Sequence, residues 1–179
     1  MKLSIIHSLF FVLFTTFTID VKAELITVSY VDVPRYLGSW YRIAANPLKF
    51  EGNCVCARQV LSLGEPGKIN VYNSCNENSV TGPLREIKGY AVSDDPISNA
   101  KLTVDFYLPQ KGKYWIIGLD HDYRYAVVSD PSMASLYILS KTPTLDPALF
   151  QKALDEAALQ IDISKLVIAE QTGCTYPSL

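Results

Sequence analysis

The sequence predicts an all-β protein: an eight-stranded antiparallel up-and-down β-barrel with one α-helix packed on its outside near the C-terminus. Three observations predict it. Eight segments rich in Val, Ile, Tyr and Phe have strand composition. The Gly, Pro, Asn, Asp and Ser clusters between them are too short for the crossovers that parallel strands need. Only one later segment has a helical period, so the strands must bury one another, and an eight-stranded meander removes its exposed edges by closing.

Composition bounds the rest. With 179 residues, 49% of them apolar and 19% charged, the chain can bury one sizeable core and is not disordered. A formal net charge of −2 offers no basic surface for phosphate backbones, so nucleic acid is not an expected partner. No repeat at solenoid periods stands out.

Residues 1–23 read as a secretory signal peptide. Lys2 supplies the positive start, residues 3–14 form an apolar run, and Val21 and Ala23 occupy the −3 and −1 positions before Glu24. The run is shorter than the ~20 apolar residues of a bilayer span and fades into Thr-rich sequence. No Cys follows the cut, so a lipid anchor is not expected. The expectation is a secreted chain, extracellular or periplasmic, with residues 24–179 forming one domain and no integral membrane segment.

The candidate strands are 38–46, 54–63, 68–75, 84–93, 100–107, 113–119, 124–129 and 135–140. In the fifth, Leu102, Val104 and Phe106 alternate with Thr103, Asp105 and Tyr107. In the sixth, Tyr114, Ile116 and Gly118 share a face, and a glycine facing inward would leave room. An eight-stranded barrel can fill its interior with side chains or hold one small ligand. Asp146 is a good N-cap, and Pro147 sits at the first helical position, where its missing N–H costs nothing. Phe150, Ala153, Leu154, Ala157, Ala158 and Ile161 form the apolar stripe that should meet the sheet, with Gln151, Lys152, Asp155 and Glu156 away from it. Residues 165–169 could add a ninth strand.

All four cysteines, Cys54, Cys56, Cys75 and Cys174, follow the signal peptide. An even count with export implies two disulfides in one of three connectivities. Cys-x-Cys spacing with His121 as the one remaining histidine lacks the usual zinc-ligand spacing, so no metal is expected.

Residues 36–44 carry Gly38-Ser39-Trp40, a Gly-x-Trp signature with a closely matching flank. Residues 118–128 and 136–143 supply two further matching segments in the right order, and the helix then follows the last strand. On these motifs the chain resembles the lipocalins, most of all the bacterial lipocalin and apolipoprotein D branch, from about Tyr36 to Cys174. The resemblance implies a calyx open at one end that carries a hydrophobic small molecule, typically a fatty acid or lysophospholipid, with no cofactor and no catalytic residue. Trp40 would plug the closed end, with Lys141 packing on it where the family has an Arg. Pocket positions of the family map onto Leu61, Phe106, Tyr114 and Tyr137. Strand periodicity adds Ala57, Leu102, Val104, Ile116, Val128 and Leu139.

The resemblance also pairs Cys56 with Cys174 and Cys54 with Cys75. The second pair lies near-symmetrically about the turn at Gly64–Gly67. A conflict follows: Ile69, Val71 and Cys75 share one parity and look inward, whereas Leu61 inward puts Cys54 outward. A β-bulge in this hairpin would reconcile them.

Two other function classes fit less of the sequence. A lipid-processing enzyme on the same barrel would have to start from His121 between Asp120 and Asp122, and no Gly-x-Ser-x-Gly elbow nominates a nucleophile. A secreted interaction or inhibitor protein would use the loops at the open end and have a filled core.

Overall fold

The computed structural model describes residues 24–48 and 52–178. The expected signal peptide lies outside the described residues. A single turn of helix, α1 (Val33–Tyr36), precedes eight strands: β1 (Gly38–Ala45), β2 (Cys54–Leu63), β3 (Ile69–Glu77), β4 (Leu84–Ser93), β5 (Lys101–Asp105), β6 (Gly112–Leu119), β7 (Tyr125–Ser129) and β8 (Leu136–Ser140). Then come α2 (Pro147–Ala158) and the two-residue strand β9 (Val167–Ile168). Each strand from β2 to β7 pairs antiparallel with the next, β8 pairs with β1, and β1 pairs with β2, which closes the barrel. β9 pairs with β1 at Ala44 and Ala45.

The short helix was not expected, although its signal is in the sequence. The Asp32 carboxylate accepts the Arg35 N–H at 3.4 Å, and Pro34 sits in the first turn.

Alternation along the strands sorts the apolar residues into two layers. An inner cluster fills the barrel, with Leu61, Val71, Leu102, Val104, Ile116, Val128 and Leu139 among its buried members. An outer cluster joins the barrel wall to α2, with Ile117, Tyr125, Val127, Leu136 and Ile138 against Ala153, Ala157 and Ile161. The N-cap geometry of α2 is as the sequence predicts: the Asp146 carboxylate accepts from the Ala148 and Leu149 N–H groups at 2.9 and 3.3 Å.

The facing of that helix differs from expectation at two positions. Ala158 is exposed, and Glu156 is half-buried against the barrel, accepting the Tyr125 hydroxyl at 2.8 Å. The reason lies in β6. A register shift sets Ile117 and Gly118 together opposite Val127, so this bulge turns both outward. Gly118 therefore makes no room inside the barrel. A Cβ there would lie 2.4 Å from Glu156 Oε2, so the missing side chain lets α2 lie close. Gly89 on β4 is where a glycine serves the interior: a Cβ there would come within 2.8 Å of the Phe106 ring and 2.2 Å of the Asp105 carbonyl oxygen.

The β2–β3 hairpin carries the bulge that reconciles the cysteine pairing with the facing of Leu61. The register shifts between Val55 and Arg58, and Cys56 has φ 53°. One extra residue reverses the facing of everything before it, so Cys54 comes to the side of Cys75, and the two are bonded with Cα atoms 5.6 Å apart. Cys56 bonds Cys174, Cα to Cα 5.5 Å, and anchors the tail on the outside of β1 and β2. The Gln171 amide donates to the carbonyls of Arg42 and Ala57, and Tyr176 packs edge-on against Tyr41 with ring centroids 4.9 Å apart.

Candidate functional site

The start of β1, the end of β8 and the 120–124 turn meet at one end of the barrel, and α1 covers them. The Asp32 N–H donates to the Tyr123 hydroxyl at 2.8 Å, the Arg35 guanidinium lies 4.2 Å over the Tyr123 ring, and it donates to the His121 carbonyl. Trp40 is fully buried at this end. Its Nε1–H donates to the Tyr36 carbonyl at 2.7 Å, and the two rings pack with centroids 4.8 Å apart. Lys141 Nζ lies 4.3 Å over the indole and donates to the carbonyls of Tyr36 and Leu37. Burial pulls the Lys141 ammonium down to about 8. Lysine thus reaches the ring and both carbonyls, but as a point charge without the flat stack of a guanidinium.

The connections after β3, β5 and β7 gather at the other end, because successive strands of an up-and-down barrel run in opposite directions. Between the ends lies a narrow apolar recess with a free volume of about 10 Å³. Leu61, Leu102, Val104 and Tyr114, expected from the sequence, line it, together with Ile69, Val71, Ala91 and Gln59. Ile116, Val128 and Leu139 belong to the same inner cluster without touching that space, and Phe106 and Tyr137 pack against the cluster partly buried. Ala57 is buried but stands apart from this group, beside the β2 bulge, where its carbonyl meets the tail.

Three members of the site were not singled out from the sequence: the apolar Ala91 and the polar Tyr36 and Gln59. The Tyr36 and Tyr114 hydroxyls are 2.8 Å apart, and Tyr114 donates to Gln59 Oε1 at 3.1 Å. Burial, and for Tyr36 the neighbouring Tyr114, raises both phenols, so both stay neutral across the physiological range. Gln59 stands two residues from Leu61, and that parity was its signal.

The alternative catalytic start does not assemble. The His121 side chain is 96% exposed, and its Nδ1 sits 3.2 Å from Asp122. Asp120 is engaged elsewhere, accepting Arg124 Nε at 2.7 Å and Nη2 at 2.9 Å and the N–H groups of Asp122 and Arg124. The Arg124 guanidinium holds its carboxyl low. This is the wiring of a tight turn. Among the described residues no group of three or more His, Cys, Asp or Glu is gathered for a metal, and no helix is long and apolar enough to cross a membrane.

Comparison with known proteins agrees with this geometry. A family model described as a lipocalin-like domain matches residues 31–171. Temperature-induced lipocalin-1 of Arabidopsis thaliana is 36% identical over 155 residues, covering 81% of this chain and 82% of the relative. Outer membrane lipoprotein Blc of Escherichia coli (strain K12) is 35% identical over 147 residues, with 82% of each chain covered. Mouse apolipoprotein D is 35% identical over 152 residues, covering 80% of this chain and 78% of its own. Among solved structures, insecticyanin from the tobacco hornworm Manduca sexta superposes with a TM-score of 0.67 at 23% identity, covering 84% of this chain and 87% of that one. With the Gly-x-Trp plug, the closed eight-stranded barrel and the outer helix in place, the chain belongs to the lipocalin family.

Proposed function

We propose that this protein is an exported carrier that holds a single-chain lipid, a fatty acid or lysophospholipid, in its calyx. The observation that carries the reading is the apolar interior space bounded by Leu61, Ile69, Val71, Leu102 and Val104. Walls of this chemistry, parted around an acyl chain, would shield it from water at ~0.8 kcal/mol per buried CH₂. Phe106, Tyr114, Tyr137, Ile116, Val128 and Leu139 shape the walls, and Trp40 with Lys141 closes the floor. Export is supported by the two disulfides, which belong to oxidising compartments. Carriage needs no nucleophile, in keeping with the structural engagement of Asp120.

Titration with a fluorescent fatty acid tests the reading. Saturation near one site per chain, with competition by unlabelled fatty acid or lysophospholipid, is expected. The absence of displaceable binding across lipid classes would overturn it.

A further inference from the structure

The floor of the calyx is not apolar throughout. Tyr114 spends its one proton on Gln59 Oε1, so Tyr36 is the donor between the two phenols, and the three side chains form a directed row. The row lies immediately above the plug: the Tyr36 ring packs on Trp40, and Gln59 is in register opposite Trp40. Gln59 is also in register opposite Asn73 on β3, and Asn73 shares the inward parity of Ile69 and Val71. Asn73 Oδ1 is buried and has no hydrogen-bond partner among the described residues.

A buried acceptor without a donor is costly, and native interiors rarely leave one unmatched. Every member of this group is uncharged, and burying a charge beside it without a counter-charge would cost far more than burying a hydroxyl. A carboxylate offers no proton to Asn73. A hydroxyl offers one and accepts another.

We propose that Gln59 and Asn73 form a recognition site for a hydroxyl group at the inner end of a slender alkyl chain, so that the preferred cargo is an ω-hydroxylated fatty acid entering hydroxyl end first. The proposal rests on the reading of the calyx as a lipid site. It makes Gln59 and Asn73 determinants of specificity, while the apolar walls supply most of the affinity.

The test compares displacement of a fluorescent fatty acid by an ω-hydroxy fatty acid and by the unhydroxylated acid of equal chain length. In the unaltered protein the hydroxylated acid should bind about tenfold more tightly, the effect of one satisfied buried acceptor. In Asn73→Leu and Gln59→Leu the ratio of the two affinities should fall to about one, with far-UV circular dichroism and the thermal midpoint reporting that each variant is folded. A 1-alkanol of that length separates two sources of the hydroxyl: it should displace the probe more weakly than the hydroxy acid, and displacement equal to or stronger than the hydroxy acid overturns the assignment to an acid. Equal binding of the two acids by the unaltered protein overturns the hydroxyl site and leaves lipid carriage standing. A preference that survives in Asn73→Leu overturns the assignment to Asn73. Displacement by none of the three lipids overturns both readings.

Discussion

Replacing Trp40 by alanine separates floor from wall. Truncating a buried aromatic ring costs ~3–5 kcal/mol. Trp40 belongs in the upper half of that range, because its ring is fully buried, its Nε1–H bond to Tyr36 is lost, and Lys141 loses the face it stacks on. The Tyr36 carbonyl is not orphaned, since Lys141 Nζ still donates to it at 3.1 Å, and this limits the loss to ~4–5 kcal/mol. For a domain of this size each kcal/mol moves the thermal midpoint by ~2–4 °C, so a fall of ~8–20 °C is expected. Tyr137→Ala acts differently. Tyr137 is only partly buried against the inner cluster, so its removal takes less apolar surface out of the packed interior. It should cost ~1–3 kcal/mol and change lipid affinity more than it changes the midpoint. Thermal unfolding followed by circular dichroism with disulfides intact, paired with fatty-acid titration at low temperature, measures both. A midpoint that falls further in Tyr137→Ala than in Trp40→Ala would refute the assignment of plug and pocket.

Two other perturbations follow from single contacts. Lys141 has its pKa drawn below the ordinary lysine value to about 8, so between about 8 and 10.5 the unfolded chain binds the extra proton. Stability should therefore rise from about pH 8 towards 10, then fall above about 10, where the raised phenols of Tyr36 and Tyr114 make ionisation of the unfolded chain dominate. Urea midpoints from pH 7 to 11 should show this rise in the unaltered protein and not in Lys141→Met; the same rise in both would exclude Lys141 as its source. Gly118→Ala places a Cβ 2.4 Å from Glu156 Oε2 and 3.0 Å from Val127 Cγ2, an overpacking that should cost ~1–3 kcal/mol. Glu156→Ala in the same chain should recover part of that loss, and a strictly additive double-mutant cycle would show that the two residues do not meet.

Much of the barrel was legible in sequence because each wall strand faces two environments at once. Leu102 and Val104 alternate with Thr103, which bonds Asp94 and Lys113 on the outside, so period two marked both the strand and its inner face. The Cys54–Cys75 pairing that the resemblance implied conflicted in parity with Leu61 facing inward; a bulge was one way to reconcile the two, and the bulge at Cys56 does so.

The misreadings cluster where that period breaks. Gly118 shares parity with Ile116 and still faces α2, because the bulge at Ile117 is set by pairing with Val127, a residue on another strand. The facing of Glu156 follows from the same event, since the carboxylate occupies ground that Gly118 leaves open. The seat of Gln171 and Tyr176 on β1 and β2 had no periodic signal at all, because a tail held by the carbonyls of Arg42 and Ala57 takes its geometry from the surface that receives it. Periodicity reports which side of one strand is wet and which is dry. Register, bulges and the polar row from Tyr36 through Tyr114 to Gln59 arise between segments far apart in sequence, and they come into being only when barrel closure brings those segments within hydrogen-bonding distance.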